Sequence, residues 1–154
     1  MLCFVIFTNT NPPPFSLGRI VQLVSRLPYT HVAIAFNEVV LDPWPSVALY
    51  YHLPIYLGQH PRYMVAVPID HDLDLQIATP RNTRWATCVR ALSCGLTGSD
   101  DCVSVVARCL RQGGLRVPHH LYSPAQLARW LVQREGCAVC NTTYPISPTS
   151  PAHH

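Results

Sequence analysis

Apolar residues in the first half of the chain fall in short runs that are typical of β-strands. Four such runs are present: LCFVIF (2–7), HVAIAF (31–36), VVLDPW (39–44) and YMVAVPI (63–69). Asn37 and Glu38, the two residues between the second and third runs, suit a tight hairpin. A helix interrupts the strands, because apolar residues in SLGRIVQLVSRL recur at spacings of three and four after Ser16, a suitable N-cap.

The spacing of the apolar residues becomes helical from Thr83 onward. Three amphipathic segments follow: TRWATCVRAL, SDDCVSVVARCLRQGG and SPAQLARWLVQREG. The second has Ser99 as its predicted N-cap and stops at the glycine pair 113–114, and the third runs from the N-cap Ser123 to Gly136. Because strands come first and helices last, the sequence predicts an α+β fold in which a small antiparallel sheet packs against helices.

Length and composition favour one folded unit. Of the 154 residues, 49% are hydrophobic and only 12% are charged. This is enough apolar material for one substantial core. We assign residues 1–136 to this domain and the proline-rich residues 137–154 to a flexible C-terminal tail.

The charge pattern argues against two kinds of partner. All 11 basic residues are arginines, set against 8 acidic residues, and their scatter along the chain disfavours nucleic-acid binding. No apolar run is long enough for stable membrane insertion, and MLCFVIF lacks the length and basic start of a signal peptide. Seven cysteines, an odd number, predict free thiols and a reducing compartment such as the cytoplasm. The small size and the lack of lysine suit an accessory protein of a phage or a bacterium.

His31, at the start of the second apolar run, is the first candidate for chemistry. With Asn37 and Glu38 as a two-residue loop, Ala33 lies opposite Asp42 in the hairpin. Strand alternation then puts His31 on the face of Ala33, diagonally across from Asp42. A carboxylate there can fix the tautomer of the imidazole and stabilise its protonated form. The alternative is a locally bonded strand-edge histidine, with Asp42 only beginning a turn.

Cys102 is the candidate nucleophile, because it falls in the first turn of a predicted helix. Free backbone N–H groups and the helix dipole at such a position lower the pKa of a thiol and can bind an oxyanion. The adjacent Asp100 and Asp101 oppose ionisation unless both carboxylates point to solvent. The other cysteines before the tail are better assigned to packing: Cys3, Cys88, Cys94 and Cys109.

The tail holds half of a zinc-ligand spacing. Cys137 and Cys140 form a CxxC pair, but His153 and His154 are adjacent and terminal rather than one helical turn apart. A flexible tail with two thiols is therefore preferred to a zinc site. We predict no metal and no cofactor.

The segment SLGRIVQLVSRLPYTHVAIAF resembles the helix and histidine-bearing strand that open the circularly permuted papain-like hydrolases. These are relatives of the NlpC-type cell-wall peptidases in which the histidine precedes the cysteine. DDCVSVVARCL, followed by LYSPAQLARWL, is similar to their nucleophile helix and the segment after it. The shared order is helix, histidine strand, polar strand and cysteine helix, from about residue 15 to residue 133.

The resemblance implies a permuted papain-like fold with Cys102 as nucleophile, His31 as general base and Asp42 as the third polar residue. Two features depart from the group. The aspartate lies one hairpin residue closer than the usual third position, which leaves Glu38 as an outside alternative. Asp101 stands directly before the cysteine, where the group usually has an uncharged residue.

The implied activity is that of a cysteine hydrolase that cleaves an amide or peptide bond through a thioester acyl-enzyme. Its substrate would be a peptide, peptidoglycan or another acyl compound. Tyr29 and Trp44, which flank the histidine and the aspartate, are candidate cleft walls for substrate binding. Two alternatives stay open. One is a lipid-directed thioesterase or acyltransferase, like lecithin:retinol acyltransferase and its kin; the other is a non-catalytic module of a virion or an effector.

Overall fold

A six-stranded antiparallel sheet organises the chain in a computed structural model, which describes residues 1–8, 30–44, 47–59, 62–76, 100–134 and 136–140. The strands are β1 (Leu2–Thr8), β2 (His31–Phe36), β3 (Val39–Trp44), β4 (Val47–His52), β5 (Arg62–Pro68) and β6 (Ala138–Cys140). The helices are α1 (Leu53–Gln59), α2 (Cys102–Gln112) and α3 (Pro124–Val132). The order across the sheet is β4-β3-β2-β1-β5-β6. The predicted α+β class with an antiparallel sheet is confirmed.

Both faces of the sheet are covered by apolar side chains. Val5 and Phe7 of β1 belong to a large buried cluster that α2 and α3 complete. Ile6, between them, belongs to a second cluster with the buried Tyr56 of α1. Because both faces are buried, the central strands are continuous apolar runs rather than alternating ones.

The hairpin between β2 and β3 has the predicted two-residue loop. Asn37 and Glu38 both have positive φ, 48° and 66°, as a type I′ turn requires. The resulting pairs agree with the predicted register: Phe36 with Val39, Ala35 with Val40 and Ile34 with Leu41. The twist of this turn matches that of the strands. The two-residue loop fixes the register, and therefore which side chains of β3 lie beside those of β2.

The start of α2 differs from the prediction, because Asp101 and not Ser99 is its N-cap. The Asp101 carboxylate accepts from the Ser104 backbone N–H at 2.7 Å, and the Ser104 hydroxyl accepts from the Asp101 N–H at 2.7 Å. This reciprocal capping box satisfies two N–H groups at once. It also makes Cys102 the first residue of the helix.

The predicted stop of α2 is confirmed, and its reason is a close approach between elements. A Cβ at Gly113 would lie 2.8 Å from the Ile69 side chain. The Gly113 carbonyl also accepts from the Asp70 N–H at 2.9 Å. The helix therefore ends where its backbone meets the chain that leaves β5.

The predicted cap of α3 is confirmed, whereas its predicted end is wrong. Ser123 is the N-cap, with Pro124 in the first turn. The helix ends at Val132 with Gln133 as its C-cap, so Gly136 does not stop it. Gly136 instead has φ of 81° in the turn that leads to β6.

Three regular segments were not predicted from the sequence. β4 and α1 occupy a stretch that the apolar pattern left without an assignment. β6 lies in the stretch assigned to the tail, where Ala138 pairs with Ala66 and Cys140 pairs with Met64. The chain therefore adds an edge strand after α3.

Several predictions lie outside the described residues. They are the helix at 16–27, the helix at 83–92 with Cys88, the packing role of Cys94, and the tail beyond residue 140. Within the part of the chain that the structure describes, no helix has the length and apolar character needed to cross a membrane.

Candidate active site

Three polar side chains meet where β2 begins, β3 approaches its end and α2 starts. His31 is the first residue of β2, and the chain before it is held by the Thr30 N–H, which donates to the Thr8 carbonyl at 3.1 Å. Asp42 lies on β3, and Cys102 opens α2, which packs against both strands. The site thus combines a hairpin and a helix start that are far apart in sequence.

The predicted contact between His31 and Asp42 is confirmed. Both side chains are buried, and His31 Nε2 bonds to Asp42 Oδ1. Because an ionised carboxylate can only accept a hydrogen bond, Nε2 carries a hydrogen and donates it to Asp42. The aspartate therefore fixes the ring orientation and leaves Nδ1 as the nitrogen for a second partner.

The surroundings of His31 favour its protonated form. Burial of the ring opposes protonation, but hydrogen bonds to the Asp42 carboxylate and to the Cys102 side chain outweigh it. Together these contacts raise the pKa of His31 from 6.5 to about 10. The ring can thus hold a proton taken from the thiol, since the Asp42 carboxylate balances its charge.

Cys102 combines the histidine contact with the start of a helix. Its side chain is half-buried and lies close enough to His31 to help raise the pKa of the imidazole. The capping box uses the N–H groups of Asp101 and Ser104. Among the described residues, no acceptor bonds the backbone N–H of Cys102 or Val103. Those donors are available for an oxyanion beside the sulfur.

From the sequence, Asp100 and Asp101 oppose ionisation of the thiol unless both carboxylates point to solvent. In the structure neither carboxylate does so freely. The Asp101 carboxylate caps the helix through the Ser104 N–H. The Asp100 carboxylate forms an ion pair with Arg108, one of whose guanidinium nitrogens donates to Oδ1. Each of the two carboxylates therefore accepts a hydrogen bond from a group of α2.

Trp44 contacts both the histidine and the aspartate. Its ring stacks on His31 with centroids 5.0 Å apart and planes inclined by 30°. Its Nε1–H donates to Asp42 Oδ2 at 3.1 Å. The Trp44 side chain is 40% exposed, so it covers the His31–Asp42 pair on the solvent side. Sequence reasoning named Trp44 only as a cleft wall, although its spacing two residues after Asp42 puts both on one strand face. Tyr29, the second predicted wall, lies outside the described residues.

Glu38 is not part of this site, which corrects the outside alternative. It lies in the hairpin turn, exposed to solvent, and its carbonyl accepts from the Leu53 N–H at 2.8 Å. The turn is at the far end of β2 from His31. Five residue steps in a strand span roughly 16 Å, so the Glu38 carboxylate cannot orient the imidazole.

Two other thiols are buried in the core, as predicted. Cys3 of β1 and Cys109 of α2 have no exposed surface. Burial raises the pKa of each thiol to about 12. Neither can supply a thiolate near neutral pH, which leaves Cys102 as the nucleophile candidate in α2.

The CxxC pair is divided between the two faces of the sheet. Cys137 packs against the large cluster of α2 and α3, and Cys140 packs against the cluster of α1. Sulfurs on opposite faces do not converge on one ion. Among the residues that the structure describes, no three histidine, cysteine or acidic side chains are grouped to hold a metal.

Comparisons with protein-family models, with curated proteins and with solved structures found no match to this chain. Function is therefore inferred from the geometry of Cys102, His31 and Asp42.

Proposed function

We propose that this protein is a cysteine hydrolase that cleaves an amide or peptide bond and has a permuted papain-like fold. The observation that carries the proposal is the position of His31, which is bonded to Asp42 and lies close enough to the Cys102 side chain for that thiol to contribute to its raised pKa. Nucleophile, base and orienting carboxylate in contact form the arrangement used in acyl transfer. The strand order supports the fold, because the histidine strand and the polar strand precede the cysteine helix.

In the acylation step the Cys102 proton passes to His31, and the sulfur attacks the carbonyl carbon of the substrate. The carbonyl oxygen becomes an oxyanion next to the backbone N–H groups of Cys102 and Val103. When the intermediate collapses, the C–N bond breaks and the leaving amine takes the proton from His31. The product of this step is a thioester on Cys102.

Deacylation uses the same groups in the reverse order. His31 takes a proton from water, the hydroxide attacks the thioester carbon, and the C–S bond breaks. The proton returns to the sulfur, so the free acid leaves and the thiol is restored. Asp42 keeps the ring oriented through both steps, because its bond to Nε2 does not involve the reacting nitrogen.

A lipid-directed thioesterase or acyltransferase is the second candidate. Apolar side chains next to Asp42 favour it, since Trp44, Val47 and Leu49 are 40%, 46% and 37% exposed. Leu49 pairs directly with Asp42 and Val47 with Trp44. An acyl chain bound there would lie close to the reacting groups. Release of nitrophenolate from acyl esters of increasing chain length, compared with nitroanilide release from peptides, separates the two candidates.

Thiol alkylation tests the catalytic pair without a known substrate. The native protein and His31→Ala are treated with iodoacetamide between about pH 5 and 9, and labelled peptides are quantified by mass spectrometry. Cys137 and Cys140 are internal references, because they are half-buried like Cys102 and lie at the β6 edge of the sheet. Burial raises the pKa of the Cys137 thiol, so Cys140 is the stricter reference. We expect Cys102 to label about tenfold faster than both near neutral pH, and to lose this lead in His31→Ala.

Equal labelling of Cys102 and the two reference thiols in the native protein would contradict the proposal. It would favour the non-catalytic binding module. The proposal would also be contradicted if Cys102 labels equally fast in the native protein and in His31→Ala, because the imidazole would then have no part in activating the thiol.

A further inference from the structure

Two carboxylates precede the nucleophile, and the structure gives them different partners. Asp101 is committed to the helix cap, where it accepts from the Ser104 N–H. Asp100 lies outside the helix and forms an ion pair with Arg108, in the second turn of α2. The guanidinium therefore reaches back along the helix towards the end that holds Cys102.

The stability of the helix gives little reason for this ion pair. The Arg108 side chain is 37% exposed, and pairs of this kind contribute little to folding because water screens them. Asp100 is better covered, with 16% of its side chain exposed. A carboxylate that is partly removed from water, two residues before a reactive thiol, acts on that thiol more strongly than a fully solvated one.

We propose that Arg108 is a positioning residue for the reaction. Its guanidinium pairs with the Asp100 carboxylate and offsets the negative charge that would otherwise oppose ionisation of Cys102. The inference rests on the proposed function, since it concerns the same thiol.

The charges around the thiol make the balance specific. From the sheet, His31 and Asp42 form one pair of opposite charges when the ring is protonated. Among the described residues of the helix start, Asp100 and Arg108 form a second pair, and the Asp101 carboxylate accepts from the Ser104 N–H. Loss of Arg108 removes one positive charge from the neighbourhood of Cys102. A full charge several ångströms away at a partly solvated site changes the thiolate fraction by about three- to tenfold.

The experiment compares four variants with the native protein: Arg108→Gln, Asp100→Asn, the double variant that carries both changes, and Arg111→Gln. Iodoacetamide labelling of Cys102 is followed against pH, with Cys140 as the reference thiol, and thermal unfolding checks each fold. Arg111→Gln is the matched control, because it removes the same charge from the same helix. Arg111 donates to the Val117 and Pro118 carbonyls at the opposite end.

We expect Arg108→Gln to slow labelling of Cys102 by about three- to tenfold near neutral pH and to move its pH profile upward. The double variant should recover the native rate, and Asp100→Asn alone should be as fast as the native protein or faster. Arg111→Gln should leave the rate unchanged.

Three results would overturn the inference while the proposed function stands. One is a native rate in Arg108→Gln, another is an equal loss in Arg111→Gln, and the third is failure of Asp100→Asn to rescue Arg108→Gln. A purely structural Arg108 would change the unfolding temperature without moving the pH profile. If Cys102 is inert in the native protein itself, the proposed function fails, and this inference falls with it.

Discussion

Cys102 and Cys109 lie on one helix, two turns apart, and both contact the large apolar cluster, yet their surroundings differ completely. Cys109 is fully buried, and burial raises the pKa of its thiol to about 12. Cys102 opens the helix and is half-buried, and its side chain lies close enough to His31 to help raise the pKa of the imidazole. The same residue type is a packing element at one position and a candidate nucleophile at the other. The difference lies in the polar partner and the free N–H groups of the helix start.

Replacing the two cysteines in turn gives the sharpest contrast. Cys102→Ala should reduce nitrophenolate release from p-nitrophenyl acetate on the order of a thousandfold, because the acyl group has no acceptor. Cys109→Ala should leave release unchanged but lower the free energy of unfolding by about 1–2 kcal/mol, since the sulfur leaves a small cavity in the core. Ester turnover and urea unfolding measure the two effects.

Intact-protein mass spectrometry is the control for this contrast. A trapped acetyl group should be found on Cys102 in the native protein and in Cys109→Ala. Acetylation that persists in Cys102→Ala at the native rate would show that another group carries the reaction, and the comparison between the two thiols would lose its functional meaning.

The pH dependence of the free energy of unfolding distinguishes the site around His31 from the core around Cys109, because the two groups titrate in different pH ranges. The pKa of His31 in the folded protein, about 10, is above its ordinary 6.5. The folded protein therefore keeps a proton that the unfolded chain releases, so this contribution is complete below pH 6.5 and is lost as the pH rises towards 10. The raised pKa of Cys109 acts only above its ordinary 9.0. We expect the free energy of unfolding to fall by about 1–2 kcal/mol between about pH 6.5 and 8.5.

Asp42→Asn tests the source of that slope. Urea unfolding of the variant should depend less on pH between about 6.5 and 8.5, because the imidazolium has lost its carboxylate. The decline above about pH 9, which belongs to the buried thiols, should remain. An unchanged slope in the lower window would mean that Asp42 does not hold the proton on His31.

Local patterns were sufficient to predict the half of the site that lies on the hairpin. A two-residue loop at Asn37 and Glu38 fixes the register, and strand alternation then places Asp42 near His31. Cys102 was predicted at a helix start because caps and periodicity are local signals. These features depend on residues that are neighbours in sequence or across one turn.

The features that were missed have different causes, of which only the pairing of β6 is a tertiary contact. Ser99 and Asp101 are both good caps by residue type, and the Ser104 hydroxyl decides between them by closing the capping box. β6 is a strand only because β5 offers it an edge. The pair of Asp100 and Arg108 is eight residues apart, beyond the spacings at which helical side chains are expected to meet.

Trp44→Phe should give the smallest effect. It tests the polar surroundings of Cys102, because Trp44 contacts both His31 and Asp42. The phenyl ring keeps the stacking on His31, whereas the Nε1–H that donates to Asp42 Oδ2 is lost. One hydrogen bond to a charged group is worth about 1.5 kcal/mol or more when it is fully used, and the exposure of Trp44 reduces this. We expect ester turnover to fall by about three- to fivefold, with its alkaline limb moved to lower pH. Kinetics of p-nitrophenyl acetate hydrolysis against pH measure both.

Trp130→Phe is the matched control, because Trp130 lies on α3 and its ring contacts Arg134 rather than the site. The same substitution there should leave the pH profile of turnover unchanged. The shape of the Trp44→Phe result also decides between two roles for this residue. A tryptophan that orients Asp42 changes the alkaline limb and kcat, since the protonation of His31 weakens. One that serves only as a cleft wall, as the sequence predicted, changes KM and leaves the limb in place.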